Sequence, residues 1–290
     1  MIAAAYKELE RKLVRWSRNR PDIVATVVIG SYARVTLPAD EFSDLDLILF
    51  SLDPSSYTAS SSWLHELGEL WIASLDYIGP GDPEWLALFD GGMKADFLIV
   101  LAVPDKSPAE MLTALPYQDV LARGARVIYS GDFDHQDLSS FSAQAIKTHP
   151  PSEPMFEAAV NGTLFAAERY AKFVLRGDFW RSQVTADAEM RRHLLTLIEW
   201  HAQSLSETKL DTWYDGRYIE TWADGRILDR LSTLDLDPNP DDPYGTVSHI
   251  LKLLELLATE TAARLGYCFP TAGQAKTIAW LDQMSRDSQN

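Results

Sequence analysis

The stretch Val27–Phe50, VVIGSYARVTLPADEFSDLDLILF, decides the fold. It continues a β-branched run, Ile23 to Ile29, that stops at Gly30, and such a run predicts a buried strand. Residues 31 to 43 form a polar, turn-rich connection. Leu45, Leu47, Leu49 and Phe50, interleaved with acids and Ile48, then predict a second strand. Side chains two apart on a strand point the same way, so Asp44 and Asp46 set two carboxylates on one face. Such a pair repels itself unless a cation lies between its members. Hard oxygen ligands of this kind suit Mg²⁺, which combines one or two carboxylates with substrate phosphates and water. Gly30 allows close backbone approach to those phosphates. Ser31 offers them a hydroxyl and an N–H if a helix starts there, and Arg34 follows one turn on.

Upstream, residues 1 to 19 predict a helix with Ile2, Tyr6, Leu9, Leu13 and Trp16 on one stripe, ended by Pro21. Downstream come a helix around Trp63 to Leu70 and strand-like segments at Trp71 to Tyr77 and Leu86 to Phe89. A Gly91-Gly92 turn leads to a strand from Ala95 to Val103 with Asp96 at its start. If that strand neighbours the Asp44/Asp46 strand, three acids converge at one sheet edge. They would hold two Mg²⁺ ions, or hold one while the third acid removes a proton from an attacking hydroxyl. Residues 130 to 155, with Pro150, Pro151 and Pro154, read as a linker. Beyond it the pattern is helical over 155 to 176, 184 to 206, 217 to 233, 245 to 265 and 271 to 285. The expected architecture is α+β: an α/β domain with a mixed sheet over residues 1–140, then a helical bundle over 141–290.

The 290 residues include 42 acidic and 26 basic ones, a net charge of −16 without a dense Lys/Arg cluster, which argues against a nucleic-acid partner. No segment has the apolar run of a signal peptide or membrane span, so a cytoplasmic protein without membrane attachment is expected. Cys268 is the single cysteine and is expected to be buried and inert. No Walker-type phosphate loop occurs, and the six histidines lack metal-ligand spacing. Trp85, before the Asp96 strand, and Trp180, in the helical half, are candidates for substrate contact. Glu168 and Asp178 are candidates for binding a cationic group.

Gly30-Ser31, Asp44-x-Asp46 and a strand-borne Asp96 together resemble the nucleotidyltransferase superfamily that includes DNA polymerase β. The chain is most similar to its antibiotic-modifying branch, the aminoglycoside (streptomycin-type) adenylyltransferases and the lincosamide nucleotidyltransferases. DEFSDLDLILF, SSWL at Ser61 to Leu64, LFDGG before Asp96, Asn161 with Lys172, LIEWH at Leu197 to His201 and WYDGRYIETW carry that likeness. It departs at Tyr32, where those streptomycin enzymes often have Arg, and at Leu164-Phe165, where they have a double tryptophan.

The resemblance implies that Asp44 and Asp46 bind Mg²⁺ and the triphosphate of ATP, while Asp96 completes the metal site or serves as general base. Gly30, Ser31 and Arg34 would cradle the β- and γ-phosphates. Lys172 would reach the triphosphate from the helical domain, although a surface lysine among Glu168, Arg169 and Arg176 is equally consistent with the sequence. The expected activity is transfer of AMP to a hydroxyl of a small molecule, with an aminoglycoside favoured by the acidic charge, in a monomer or homodimer. A lincosamide acceptor, or a non-catalytic regulatory or toxin–antitoxin role, are the alternatives.

Overall fold

Alternation along the second strand sorts the first half of the chain into layers. In the computed structural model, which describes residues 2–34, 36, 38–131, 150–206, 210–212, 214–234 and 245–287, β1 is Ile23–Ile29 and β2 is Leu45–Ser51. Leu45, Leu47 and Leu49 are buried on one face against Tyr6, Leu9, Leu13 and Trp16 of α1 (Ile2–Arg18). Ile48 and Phe50 are buried on the other face with Met111 and Leu112 of α3 (Pro108–Ala114). Each fully buried leucine in these layers contributes about 2 kcal/mol.

A short α2 (Ser55–Thr58) precedes β3 (Leu70–Ile78), β4 (Asp82–Phe89) and β5 (Met93–Leu101). After α3 come α4 (Gln118–Leu121) and β6 (Arg126–Ser130). The strands form one mixed sheet in the order β3-β4-β5-β2-β1-β6. Its one parallel pair is β2 with β5, in the register Asp46↔Asp96.

Chain contacts divide the protein into two compact units, Met1–Ile146 and Lys147–Asn290; the expected division at 140/141 lies outside the described residues. The second unit is helical: α5 (Glu153–Leu175), α6 (Phe179–Thr185), α7 (Arg191–Leu205), α8 (Ile219–Trp222), α9 (Gly225–Ser232), α10 (Gly245–Leu265) and α11 (Ala272–Asp287). Its core packs Phe156, Val160, Leu164 and Tyr170 against Leu194, Leu197, Ile198 and the expected apolar face Ile250, Leu251, Leu253, Leu254 and Leu257. The chain is thus α+β, and no described helix is long and apolar enough to cross a membrane.

Several elements differ from expectation. The helix expected at 63–70 is a 3-10 turn, Ser61–Glu66, capped by the Ser60 hydroxyl. Trp63 and Leu64 bury themselves in the core there, and β3 starts at Leu70. β5 begins two residues earlier than expected because Met93 and Lys94 pair with Phe89 and Leu88 of β4. α3, with a Ser107/Glu110 capping box and Pro108 in its first turn, falls in a stretch that the sequence reading passed over. The helix expected at 184–206 starts at Phe179 and carries a π-turn at Ala186–Met190. That expected at 217–233 splits where Asp224 caps α9. Cys268 is exposed, contrary to the expected burial, because it sits in the connection beyond α10 and not on a helix face.

Candidate active site

The register of β2 and β5 builds the site. Asp46 and Asp96 are level across the parallel pair, and Asp44, just before β2, is one pleat nearer the strand ends. β1 turns away at this end through Gly30, with φ +64, a conformation that favours glycine. A Cβ on Gly30 would lie 2.1 Å from Asp46 Oδ2. The glycine therefore serves both the turn and the room that the carboxylate occupies. Ser31 is buried in a three-residue 3-10 turn, Gly30–Tyr32, at the head of the turn-rich connection, so the helix start that would aim its N–H at a phosphate is only this short turn. The backbone N–H of Arg34 donates to Gly30 O at 3.1 Å, which fixes Arg34 at the end of that turn. The loop before Asp44 is shaped by Asp40, whose Oδ1 accepts from Phe42 N–H at 3.0 Å and from the Ser43 hydroxyl at 2.8 Å.

Lys94, two residues before Asp96 on β5, lies among these acids. Its ammonium donates to Asp44 Oδ2 at 2.9 Å and to Asp96 Oδ2 at 2.8 Å. The Tyr6 hydroxyl bonds the Lys94 backbone at 3.1 Å, tying β5 to α1 at this point. Burial would lower the Lys94 pKa, but the hydrogen bonds to Asp96 and Asp44 outweigh it and hold it above its ordinary value. Asp46 has no such partner. Burial, then the charges of Asp96 and Asp44, push its carboxyl up to about 7. Glu84 on β4, on the same sheet face, is also pushed up to about 7, by burial and then by Asp96. Asp96 is raised by burial against the opposing pull of Lys94.

The donor set suits a hard divalent cation. Asp96 Oδ1 is fully buried without a hydrogen-bond partner, and a buried polar atom in that state is costly unless something binds it. Among the described residues no three Asp, Glu, His or Cys side chains are already gathered as a metal cage. At this sheet end two of the three aspartates point at Lys94 instead.

Asn161, Phe165, Glu168 and Lys172 lie along one stripe of α5 and line a groove of about 700 Å³ with Gln274 and Trp280 of α11. Gln274 Nε2 donates to Asn161 Oδ1 at 3.0 Å, and Lys172 pairs with Glu168. Asp178, at the N-terminus of α6, pairs with Arg181 at 3.5 Å, and Trp180 beside it is exposed. Trp85 is a core residue. Its indole N–H donates to Tyr57 O at 2.8 Å, on the α1 face of the sheet and away from the aspartates. That placement removes it from substrate contact.

A profile of the streptomycin adenylyltransferase family matches residues 4–284. The chain belongs to this family. It is accordingly a nucleotidyltransferase, and ATP is the donor that an adenylyltransferase uses. No curated protein sequence matches it. Among solved structures it is similar to an aminoglycoside 6-adenyltransferase from Bacillus subtilis, at 14% identity and a TM-score of 0.44, covering 97% of this chain and 96% of that one. A nucleotidyltransferase-like protein from Exiguobacterium sibiricum follows at 13% and 0.33, covering 96% and 86%. A spectinomycin adenyltransferase from Enterococcus faecialis, crystallised with ATP and spectinomycin, follows at 13% and 0.28, covering 97% and 99%.

Sequence reading missed Lys94 and Glu84. The spacing that joined Asp44 to Asp46 joins Lys94 to Asp96, and would have found the lysine had the strand been started at Met93.

Proposed function

We propose that the chain moves AMP from ATP to a hydroxyl of a cationic small molecule, an aminoglycoside, using Asp44 and Asp46 as Mg²⁺ ligands and Asp96 as third ligand or general base. The observation that carries this reading is the level placement of Asp46 and Asp96, with Asp44 beside them and an unpartnered Asp96 oxygen buried at the centre. Bound there, Mg²⁺ would supply positive charge to the triphosphate and to the attacking and departing oxygens. Gly30 leaves room for the Asp46 carboxylate at the turn, and in this reading the turn Gly30–Ser31 with Arg34 supplies donors to the phosphate oxygens. The acceptor hydroxyl attacks the α-phosphorus and pyrophosphate leaves; in its general-base role Asp96 would take the hydroxyl proton as the bond forms.

The acceptor class rests on charge. Glu84 lies beside Asp96, and Asp76 lies level with Glu84 on β3, so acids extend across the same sheet face. The overall charge of −16 has the same sign. A polycationic acceptor is drawn to such a face, whereas a nucleic acid is repelled. Lys172, Glu168, Asp178 and Trp180 are proposed contacts for triphosphate or acceptor from the helical unit, and the chain is proposed to act as monomer or homodimer.

The test is to incubate the protein with Mg²⁺, ATP and a panel of aminoglycosides and lincosamides while following pyrophosphate release and acceptor mass. Release with an aminoglycoside that gains one AMP supports the reading. No release with any acceptor, together with no Mg²⁺-dependent ATP binding, contradicts it.

A further inference from the structure

Lys94 stands where the proposed reaction needs a different cation. Its ammonium is shared by Asp44 and Asp96 at 2.9 and 2.8 Å, while Asp46 makes no ion pair among the described residues. The register brings three carboxylates to one strand end, yet they do not form a metal cage. The lysine accounts for both facts. It satisfies two acids at ammonium hydrogen-bond length, longer than the ~2.1 Å that Mg²⁺ demands of its oxygens.

We propose that Lys94 is a resident counter-ion that keeps free divalent metal off the Asp44/Asp96 pair, so that metal is taken up with the triphosphate and not before it. This rests on the metal role given to these aspartates above. A divalent ion approaching alone meets a positive charge and two occupied ligands. A triphosphate changes the balance, because its oxygens offer the ammonium a new partner. Lys94 is suited to that exchange: its charge sits on a flexible four-carbon stem, and its side chain is 38% exposed. As the ammonium turns to phosphate, both carboxylates become free to ligate. Metal and nucleotide then strengthen one another's binding through Lys94, reciprocally.

The experiment titrates Mn²⁺ into the whole chain, with free Mn²⁺ read by electron paramagnetic resonance, in the presence and absence of α,β-methylene ATP, and a protein-free titration subtracts the Mn²⁺ that the analogue itself binds. The proteins are wild type, Lys94→Met, Lys94→Gln and Lys94→Arg, each checked for native circular dichroism. Without nucleotide, the Met and Gln variants are expected to bind Mn²⁺ at least about tenfold more tightly than wild type, about 1.4 kcal/mol. The Arg variant, which keeps the charge, is expected to stay near wild type. With the nucleotide analogue the advantage of Met and Gln shrinks or reverses. Folded Met and Gln variants that bind Mn²⁺ no more tightly than wild type overturn the inference and leave the metal reading standing. If no protein binds Mn²⁺ even with the analogue, the metal reading falls and the inference with it.

Discussion

The sheet end and the helical unit each hold a cluster of ionised side chains, and the two are balanced differently. At the sheet end Asp44 and Asp96 share the ammonium of Lys94, while Asp46 and Glu84 on the same face are pushed up to about 7. In the helical unit Glu260 accepts from Arg226 at 2.7 Å and faces His201 at 3.0 Å, while Asp224 pairs with the same arginine at 2.8 Å. Those hydrogen bonds hold Glu260 and Asp224 down at about 2. One cluster lowers the energy of its charges within the fold; the other leaves acids uncompensated. Uncompensated acids in a partly open site are what a cationic ligand needs, and they cost stability until it arrives. The contrast is thus between a cluster that stabilises the fold and one that the proposed function assigns to chemistry.

Replacing Asp46 tests both sides of that contrast and carries the largest expected effect. Asp46→Asn should lower the rate of transfer about 10³-fold or more, since the ligand and charge that the proposed function gives to Mg²⁺ are lost. Its stability should move the other way. A carboxyl whose folded pKa is raised from 3.8 to about 7 gives its full stability below pH 3.8 and loses it as pH rises through 7. Without metal at pH 8.5, the Asn variant should therefore exceed wild type by about 2 kcal/mol in urea unfolding, and match it near pH 4. An Asn variant less stable than wild type at pH 8.5 would remove the contrast.

Gly30→Ala is next. Its Cβ would collide with the Asp46 carboxylate at 2.1 Å in a backbone conformation with φ +64. Displacement of Asp46 should lower kcat about 10²-fold, a loss of about 3 kcal/mol in transition-state stabilisation. A kcat near wild type would show that the carboxylate tolerates displacement.

In the balanced cluster the sign reverses. Glu260→Gln should destabilise by about 1 kcal/mol at pH 7, allowing for solvent screening of a pair at the surface. The lowered Glu260 pKa makes this contribution full above pH 4.5 and lost as pH falls toward 2. Thermal unfolding across that range checks it, and a constant difference would refute the ionic origin. The smallest effect is expected at Lys172, already paired with Glu168. Lys172→Met should raise the KM for ATP about threefold with kcat nearly unchanged, and an unaltered KM would return it to a surface role.

How much of this was legible varies with the local physics. β1 was readable because Ile23–Ile29 is β-branched and ends at a glycine. The helix that carries Asn161 and Lys172 was readable from its helical pattern over 155 to 176, while their pairing came from the family resemblance. The edges of β3 and β5 were not, because strand pairing with β4 sets them, and pairing partners are remote in sequence. That error mattered at one place. Starting β5 at Ala95 left Lys94 in a turn, when in the strand it shares a face with Asp96. Trp85 was misplaced for a related reason: it lies one residue after Glu84, hence on the opposite face of β4. Sequence alone paired Asp44 with Asp46 and offered Asp96 on condition that its strand lay alongside; the register met that condition and added the cation among them.

The most direct test is the mass of an aminoglycoside after incubation with Mg²⁺, ATP and either wild type or folded Asp44→Asn. The acceptor should gain one AMP with wild type and remain unmodified with the variant. Equal modification by both proteins would contradict the role given to the aspartates at the sheet end.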